Sequence, residues 1–179
     1  TNLLEGHELY CSGHMMEAAC AYYDATGKDK LLTVMLKNAE HIYDHFIVKR
    51  NPGCPGHPEV ELALLKMYRA TGNRHCLELA EHFINTRGCD PDFFKKEAEN
   101  RGWCVWNAHP TDTDYMQATR PVREQTDAVG HAVRAVYLYT AMADLASLSG
   151  DKELFAACER LWESITQRRM YITGGIGST

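Results

Sequence analysis

Three Gly-His pairs in this 179-residue chain, Gly13-His14, Gly56-His57 and Gly130-His131, each open an apolar segment, and a further histidine, His7, shares the N-terminal stretch with His14. His7, Cys11 and His14 stand at i, i+4 and i+7, so a helix already running at residue 7 places all three on one face. That is acceptable metal-ligand spacing. The string His7-Glu8-Leu9-Tyr10-Cys11 nevertheless departs from the HExxH zinc pattern, because Cys11 stands where the second histidine belongs. The residues favour polar groups bonded to neighbours or to a polar ligand over a metal site. A glycine before each histidine permits close backbone approach, and a histidine at a helix start stands beside free backbone amides. Singly, each reads as a packing or capping residue. Their recurrence in successive helical hairpins points instead to convergence on a shared polar cavity.

Carboxylates near these points are Glu8, Glu17, Glu59, Glu61, Glu124 and Asp127, and two of them in register can act as acid and base. Spacing alone does not pair them. Asp127 reads as an N-cap, and Glu17 and Glu61 as groups bonded within the helical packing. His41 and His45 share a helix face that reads as solvated surface. Trp103, Trp106 and Tyr115 fall in an irregular stretch where their rings can stack on a sugar. Gly174, Gly175 and Gly177 follow no strand and match no nucleotide-binding loop.

The elements that must position these residues are helices. Segments 8–25 and 29–48 flank Gly27, a helix from Pro58 ends near Gly72, and another follows over 74–86. Segment 128–147 is apolar almost all round and so is expected to be buried on all sides, whereas 151–169 carries the one-sided stripe Leu154, Cys158, Leu161 and Ile165. Each hairpin turns at a hydroxyl-glycine pair: Thr26-Gly27, Thr71-Gly72 and Ser149-Gly150. Alternating buried and half-exposed helices joined by short turns predict an all-α fold of helical hairpins, forming part of an (α/α) toroid or a solenoid. Residues 88–126, with Pro91, His109, Pro110 and Pro121, interrupt the pattern, apart from a short helix near 92–99.

A net charge of −5 with scattered basic residues argues against nucleic acid and anionic membranes as partners. No apolar run is long enough to span a bilayer. Seven cysteines, odd in number and without a CxxC pair, argue against a secreted disulfide framework, so a cytoplasmic location is expected.

Four strings in order carry a more specific signal. They are His7 to His14 (HELYCSGH), Pro55 to Leu64 (PGHPEVELAL), Pro121 to Gln125 with Gly130 to Ala135 (GHAVRA), and Met170 to Ser178 (MYITGGIGS). Together they resemble glycoside hydrolase family 127, which contains the β-L-arabinofuranosidases, over practically the whole chain. The resemblance implies a six-hairpin helical toroid with accessory β-domains. It also implies a retaining mechanism with a zinc-bound cysteine thiolate as nucleophile and a glutamate as acid/base. Histidines that hydrogen-bond the arabinofuranose fall by motif on His7 or His14, on His57 and on His131. Thr119 departs from the pattern, since relatives often carry histidine there.

In that family the acid/base glutamate, the metal ligands and the nucleophilic cysteine come after the Thr-Gly-Gly-Ile-Gly-Ser motif. None of the seven cysteines is therefore expected to be the nucleophile. The chain is expected to be a partial toroid domain over 1–179, with the substrate-binding residues His7, His14, His57 and His131, an arabinofuranoside-type carbohydrate as ligand, and no catalytic residue. It is expected to hold no zinc of its own, the zinc belonging to the full-length relative, and to self-associate through exposed apolar ends. Rival readings are a non-catalytic helical-repeat binding module and another α/α-toroid enzyme, such as a sugar epimerase or an unsaturated glucuronyl hydrolase.

Overall fold

The structure, a computed structural model, describes residues 2–106 and 111–177. His109 and Pro110, part of the expected irregular stretch, lie outside the described residues, as does Ser178 of the last motif. Three hairpins make the frame: α1 (Glu8–Thr26) with α2 (Lys30–Tyr43), α3 (Val60–Thr71) with α4 (Arg74–Thr86), and α6 (Ala132–Ser149) with α7 (Lys152–Ser164). A short α5 (Phe93–Arg101) lies in the long connection after α4. The outer helices α2 and α7 both widen into a π-helical last turn, at Asp44–Val48 and Ile165–Arg169.

The three hairpin turns are built alike. Gly27, Gly72 and Gly150 take φ of 69°, 71° and 72°, the left-handed conformation in which a glycine ends a helix at low cost. The hydroxyl before each glycine donates back to a carbonyl one turn earlier: Thr26 to Tyr22 at 2.6 Å, Thr71 to Met67 at 2.7 Å and Ser149 to Leu145 at 2.8 Å. The same hydroxyl accepts the amide two residues on, from Lys28, Asn73 and Asp151. Asn73 and Asp151 then cap the following helices through the amides of His75 and Leu154.

Helix α3 is the hub, packed on α1, α4 and α6, with Val60, Ala63, Leu64, Leu65 and Met67 fully buried. Helices α1, α3 and α6 lie side by side as an inner layer, and each is backed by its own hairpin partner. The segment expected to be buried all round was α6, and here the structure differs. Val133 and Val136 are 49% and 43% exposed, because within the described residues α6 has an inner-layer neighbour, α3, on one flank only. The all-round burial belongs to the first turns of α3, Val60 to Leu65.

Two helix starts also differ from the sequence reading. α3 begins at Val60 and α6 at Ala132, since Gly130 (φ 76°) breaks the chain and its close approach to the Asp114 carbonyl leaves no room for a Cβ. Asp127 therefore caps nothing and pairs with Arg168 at 3.1 Å, while His131 takes the N-cap position.

Arg87, at the end of α4, is wholly buried. Its guanidinium donates to the Met116 carbonyl at 2.9 Å, to the Pro55 carbonyl, and to Glu61 of α3 at 3.4 Å. Removing one partner of a buried ion pair strands the other charge. Arg87→Ala is expected to lower the unfolding free energy by about 3–5 kcal/mol, read by urea denaturation, whereas Lys96→Ala at the exposed Asp90 pair leaves it nearly unchanged.

Candidate functional site

Each histidine of the site stands at or before the start of an inner helix. His7 is the residue before α1, and its Nδ1 lies 2.9 Å from the Glu5 carbonyl. His57 stands in the extended entry to α3, with Nδ1 2.7 Å from the Pro58 carbonyl. A carbonyl only accepts, so in the neutral rings of His7 and His57 Nδ1 carries the proton and Nε2 is the acceptor. His131 does the reverse: its Nδ1 accepts the Arg134 amide at 3.3 Å, which leaves Nε2 as the N–H donor. The backbone thus sets two imidazole acceptors and one donor.

The rings meet. His7 and His57 have centroids 5.7 Å apart, His57 and His131 5.8 Å, and His131 and Tyr115 5.3 Å. They line a cavity of about 680 Å³ together with Arg134, Tyr115 and Trp106. The Arg134 guanidinium sits 4.9 Å over the Tyr115 ring, and its Nη1 donates to the Gly56 carbonyl at 3.3 Å. Its Nε is buried and has no hydrogen-bond acceptor. Burial depresses the His57 pKa to about 4, and burial together with Arg134 lowers that of His131. His57 is therefore uncharged at neutral pH and suits a neutral, hydroxyl-bearing ligand.

Close backbone approach at the glycines makes this convergence possible. A side chain at Gly56 would strike the Leu3 and Leu4 carbonyls, and one at Gly13 would strike the Glu59 carboxyl. Gly56 also donates its amide to the Leu3 carbonyl at 2.8 Å, which brings the His7 and His57 segments together.

Of the four sequence-derived residues, His7, His57 and His131 line the cavity and His14 does not. Tyr10 separates His14 from the others, with its ring 4.4 Å from His14 and 4.5 Å from His57. His14 turns its Nδ1 toward two carboxylates, 3.6 Å from Glu17 and 3.5 Å from Glu59. His7, Cys11 and His14 do not close on one point. Of the three loop aromatics, Trp106 and Tyr115 reach the cavity, while Trp103 lies 5.0 Å beneath the Arg101 guanidinium.

Two wall residues escaped the sequence reading as site residues. Glu5 is buried and accepts the Val105 and Trp106 amides, each at 2.8 Å, so it hangs the Trp106 segment beside the cavity. Arg134, a lone cation one turn after His131 in an apolar helix, carried a signal that was legible but was read as an interruption.

Glu59 is fully buried, and no donor reaches either of its oxygens. Burial first, then a hydrogen bond that the protonated Glu59 carboxyl donates to Glu17, then the Glu17 and Glu61 charges, raise its pKa to about 9, against an opposing pull from Lys66. Glu17, bound to Lys66, is held below its ordinary value despite its own burial.

Buried thiols complete the chemical inventory. Burial pushes the Cys76 and Cys158 thiols up to about 12 and about 11, and those of Cys20 and Cys54 upward as well. Thiols so disposed are protonated and inert. The one group of metal-binding residue types that closes on a point among the described residues, His14-Glu17-Glu59, contains no sulfur. The residues present therefore do not fit a zinc thiolate centre.

Paired helices in two layers, with imidazoles from successive inner helices meeting in one polar cavity, define part of an α/α-toroid catalytic domain. Residues 1–179 match the family described as the GH127 catalytic domain of β-L-arabinofuranosidase, and the chain belongs to that family. It is 42% identical, over 98% of its length, to the non-reducing end β-L-arabinofuranosidase of Bifidobacterium longum subsp. longum. Among solved structures, it superposes on a GH127 β-L-arabinofuranosidase from Geobacillus stearothermophilus T6 with a TM-score of 0.91 and 51% identity over 99% of the chain. A second GH127 β-arabinofuranosidase matches over 96% of the chain with a TM-score of 0.77 and 39% identity. The chain spans 27% of the curated relative and 28% and 24% of these two structures.

The Glu59 shift gives a signed prediction. Between about pH 4.5 and about pH 9 the folded state holds a proton that the unfolded chain releases, so this residue makes stability fall as pH rises. The slope is at most about 1.4 kcal/mol per pH unit. Glu17, with its lowered value, acts below that window and in the opposite sense. In a chelator, Glu59→Gln is expected to melt at a higher temperature than the parent at pH 8 and to lose most of that advantage at pH 5. An equal shift at both values would show that Glu59 is ionised in the fold.

Proposed function

We propose that this chain forms the sugar-binding wall of a retaining glycosidase acting on β-L-arabinofuranosides, with His7, His57 and His131 as the residues that hold the sugar. The observation that carries this reading is the convergence of three imidazoles with complementary donor and acceptor roles on one cavity. Its support from kinship is family membership and the printed activity of the relatives.

A furanoside ring is neutral and presents hydroxyls that both donate and accept. Acceptor nitrogens on His7 and His57 and a donor on His131 match such a ring without a charged group to desolvate. Arg134 lines the same cavity, and Tyr115 and Trp106 offer aromatic faces to the C–H side of the sugar. The chain's part in the reaction is then to bind, orient and partly dehydrate the substrate. The nucleophilic cysteine, its zinc and the acid/base glutamate are assigned to sequence beyond these residues, a reading supported by the protonated, buried thiols. By itself the 179-residue chain is therefore expected to be inactive.

Calorimetric titration with methyl β-L-arabinofuranoside and hydrolysis of the p-nitrophenyl glycoside test this together. Expected outcomes are binding without turnover by this chain, and a 10–100-fold loss of affinity in His57→Ala, the size of one or two lost hydrogen bonds. Affinity should fall near pH 4, where His57 gains its second proton and loses its acceptor nitrogen. Turnover by the chain alone would overturn the assignment of the catalytic centre, and unchanged binding in His57→Ala would overturn the sugar site.

A further inference from the structure

On the far side of Tyr10 from the sugar cavity, three donor atoms converge from two inner helices. His14 and Glu17 come from consecutive turns of α1, and Glu59 comes from the residue before α3. His14 Nδ1 stands 3.6 Å from a Glu17 oxygen and 3.5 Å from a Glu59 oxygen, and all three ligand atoms lie within 4.8 Å of one another. Two donors bound at about 2.1 Å to one tetrahedral ion stand about 3.4 Å apart, so these separations are those of adjacent ligands around a metal.

Two independent features mark the place as built for an ion. Glu59 is a carboxyl with no exposure at all, aimed at His14 and Glu17, and neither oxygen receives a hydrogen bond. A buried carboxyl without a donor is costly unless something positive, a proton or a cation, occupies the space before it. Gly13 carries no side chain where a Cβ would strike that same carboxyl, so the backbone of α1 makes room for it. Lys66 holds the other oxygen of Glu17 and leaves the His14-facing oxygen available. Partial exposure of His14 and Glu17 gives an ion a way in.

We propose that His14, Glu17 and Glu59 form a divalent-cation site that joins α1 to the start of α3 behind the sugar cavity. One nitrogen and two carboxylate oxygens suit Mn²⁺ or Zn²⁺, with water completing the shell, and exclude a preference for soft, thiolate-seeking ions. Through the His14–Tyr10 contact the ion steadies the ring that packs on His57.

Mn²⁺ is the probe of choice because it disregards the exposed thiols Cys11, Cys89 and Cys104. The chelator-treated chain is titrated with MnCl₂ and free Mn²⁺ is read by electron paramagnetic resonance. The expected result is one ion bound per chain, with affinity reduced at least about 10-fold in both Glu59→Gln and His14→Ala and unchanged in Glu8→Gln and Cys11→Ser. Should Glu59→Gln fail to fold, His14→Ala, at a partly exposed position, decides alone. Absence of a stoichiometric site, or binding undiminished in His14→Ala, overturns the proposal. Sugar affinity is measured in the same variants without metal, so failure of this site and failure of the sugar site are read separately.

Discussion

A single buried cation holds the site together. Arg87 reaches from α4 to carbonyls at Pro55 and Met116 and to the Glu61 carboxylate, and these three anchors belong to three different segments. Pro55 lies two residues before His57, and Met116 follows Tyr115, so the guanidinium places both walls of the cavity against α3. Glu61 in turn accepts the Glu59 amide at 3.0 Å, which sets the start of the helix. A guanidinium removed from water seeks acceptors, and here both terminal nitrogens of Arg87 find backbone carbonyls in irregular segments, with Glu61 beside them. Irregular loops stay in place because a charge cannot be left alone.

Most of the frame was legible in the residues. The recurring hydroxyl-glycine pairs announced the hairpin turns, and the structure uses each hydroxyl in the same two bonds. The Gly-His pairs announced tight approach, and Gly56 and Gly130 are pressed against carbonyls of distant loops. Such features are local, so spacing reveals them. What spacing did not reveal is long-range pairing. Glu5 bonds amides about a hundred residues on, and Arg87 bonds carbonyls about thirty away in each direction. Both are common residue types whose importance comes only from what lies opposite.

His14 shows the same limit. In the sequence it was as good a candidate as His7, since both sit in one motif. The seven-residue step between them advances the helix by nearly two turns, about 10 Å, more than one monosaccharide spans. Tyr10 fills the space between. The expectation for α6 erred for a related reason: an all-apolar helix reports how much surface needs cover, and the cover on one flank is not among the described residues.

The Glu5 clasp links parts of the chain that spacing keeps far apart. Its carboxylate ties residues 2–7 to Val105 and Trp106, while Glu97 and Arg101 of α5 reach back to Leu3 and Asn2. The approach to α1 and the aromatic loop therefore form one cooperative unit, whose bonds are made or lost together. Local opening at either end exposes both to a protease or to deuterium, and it removes His7 and Trp106 from the cavity in one event. A ligand held between them would protect both segments at once, and its occupancy would be recorded in the exchange rates of amides a hundred residues apart.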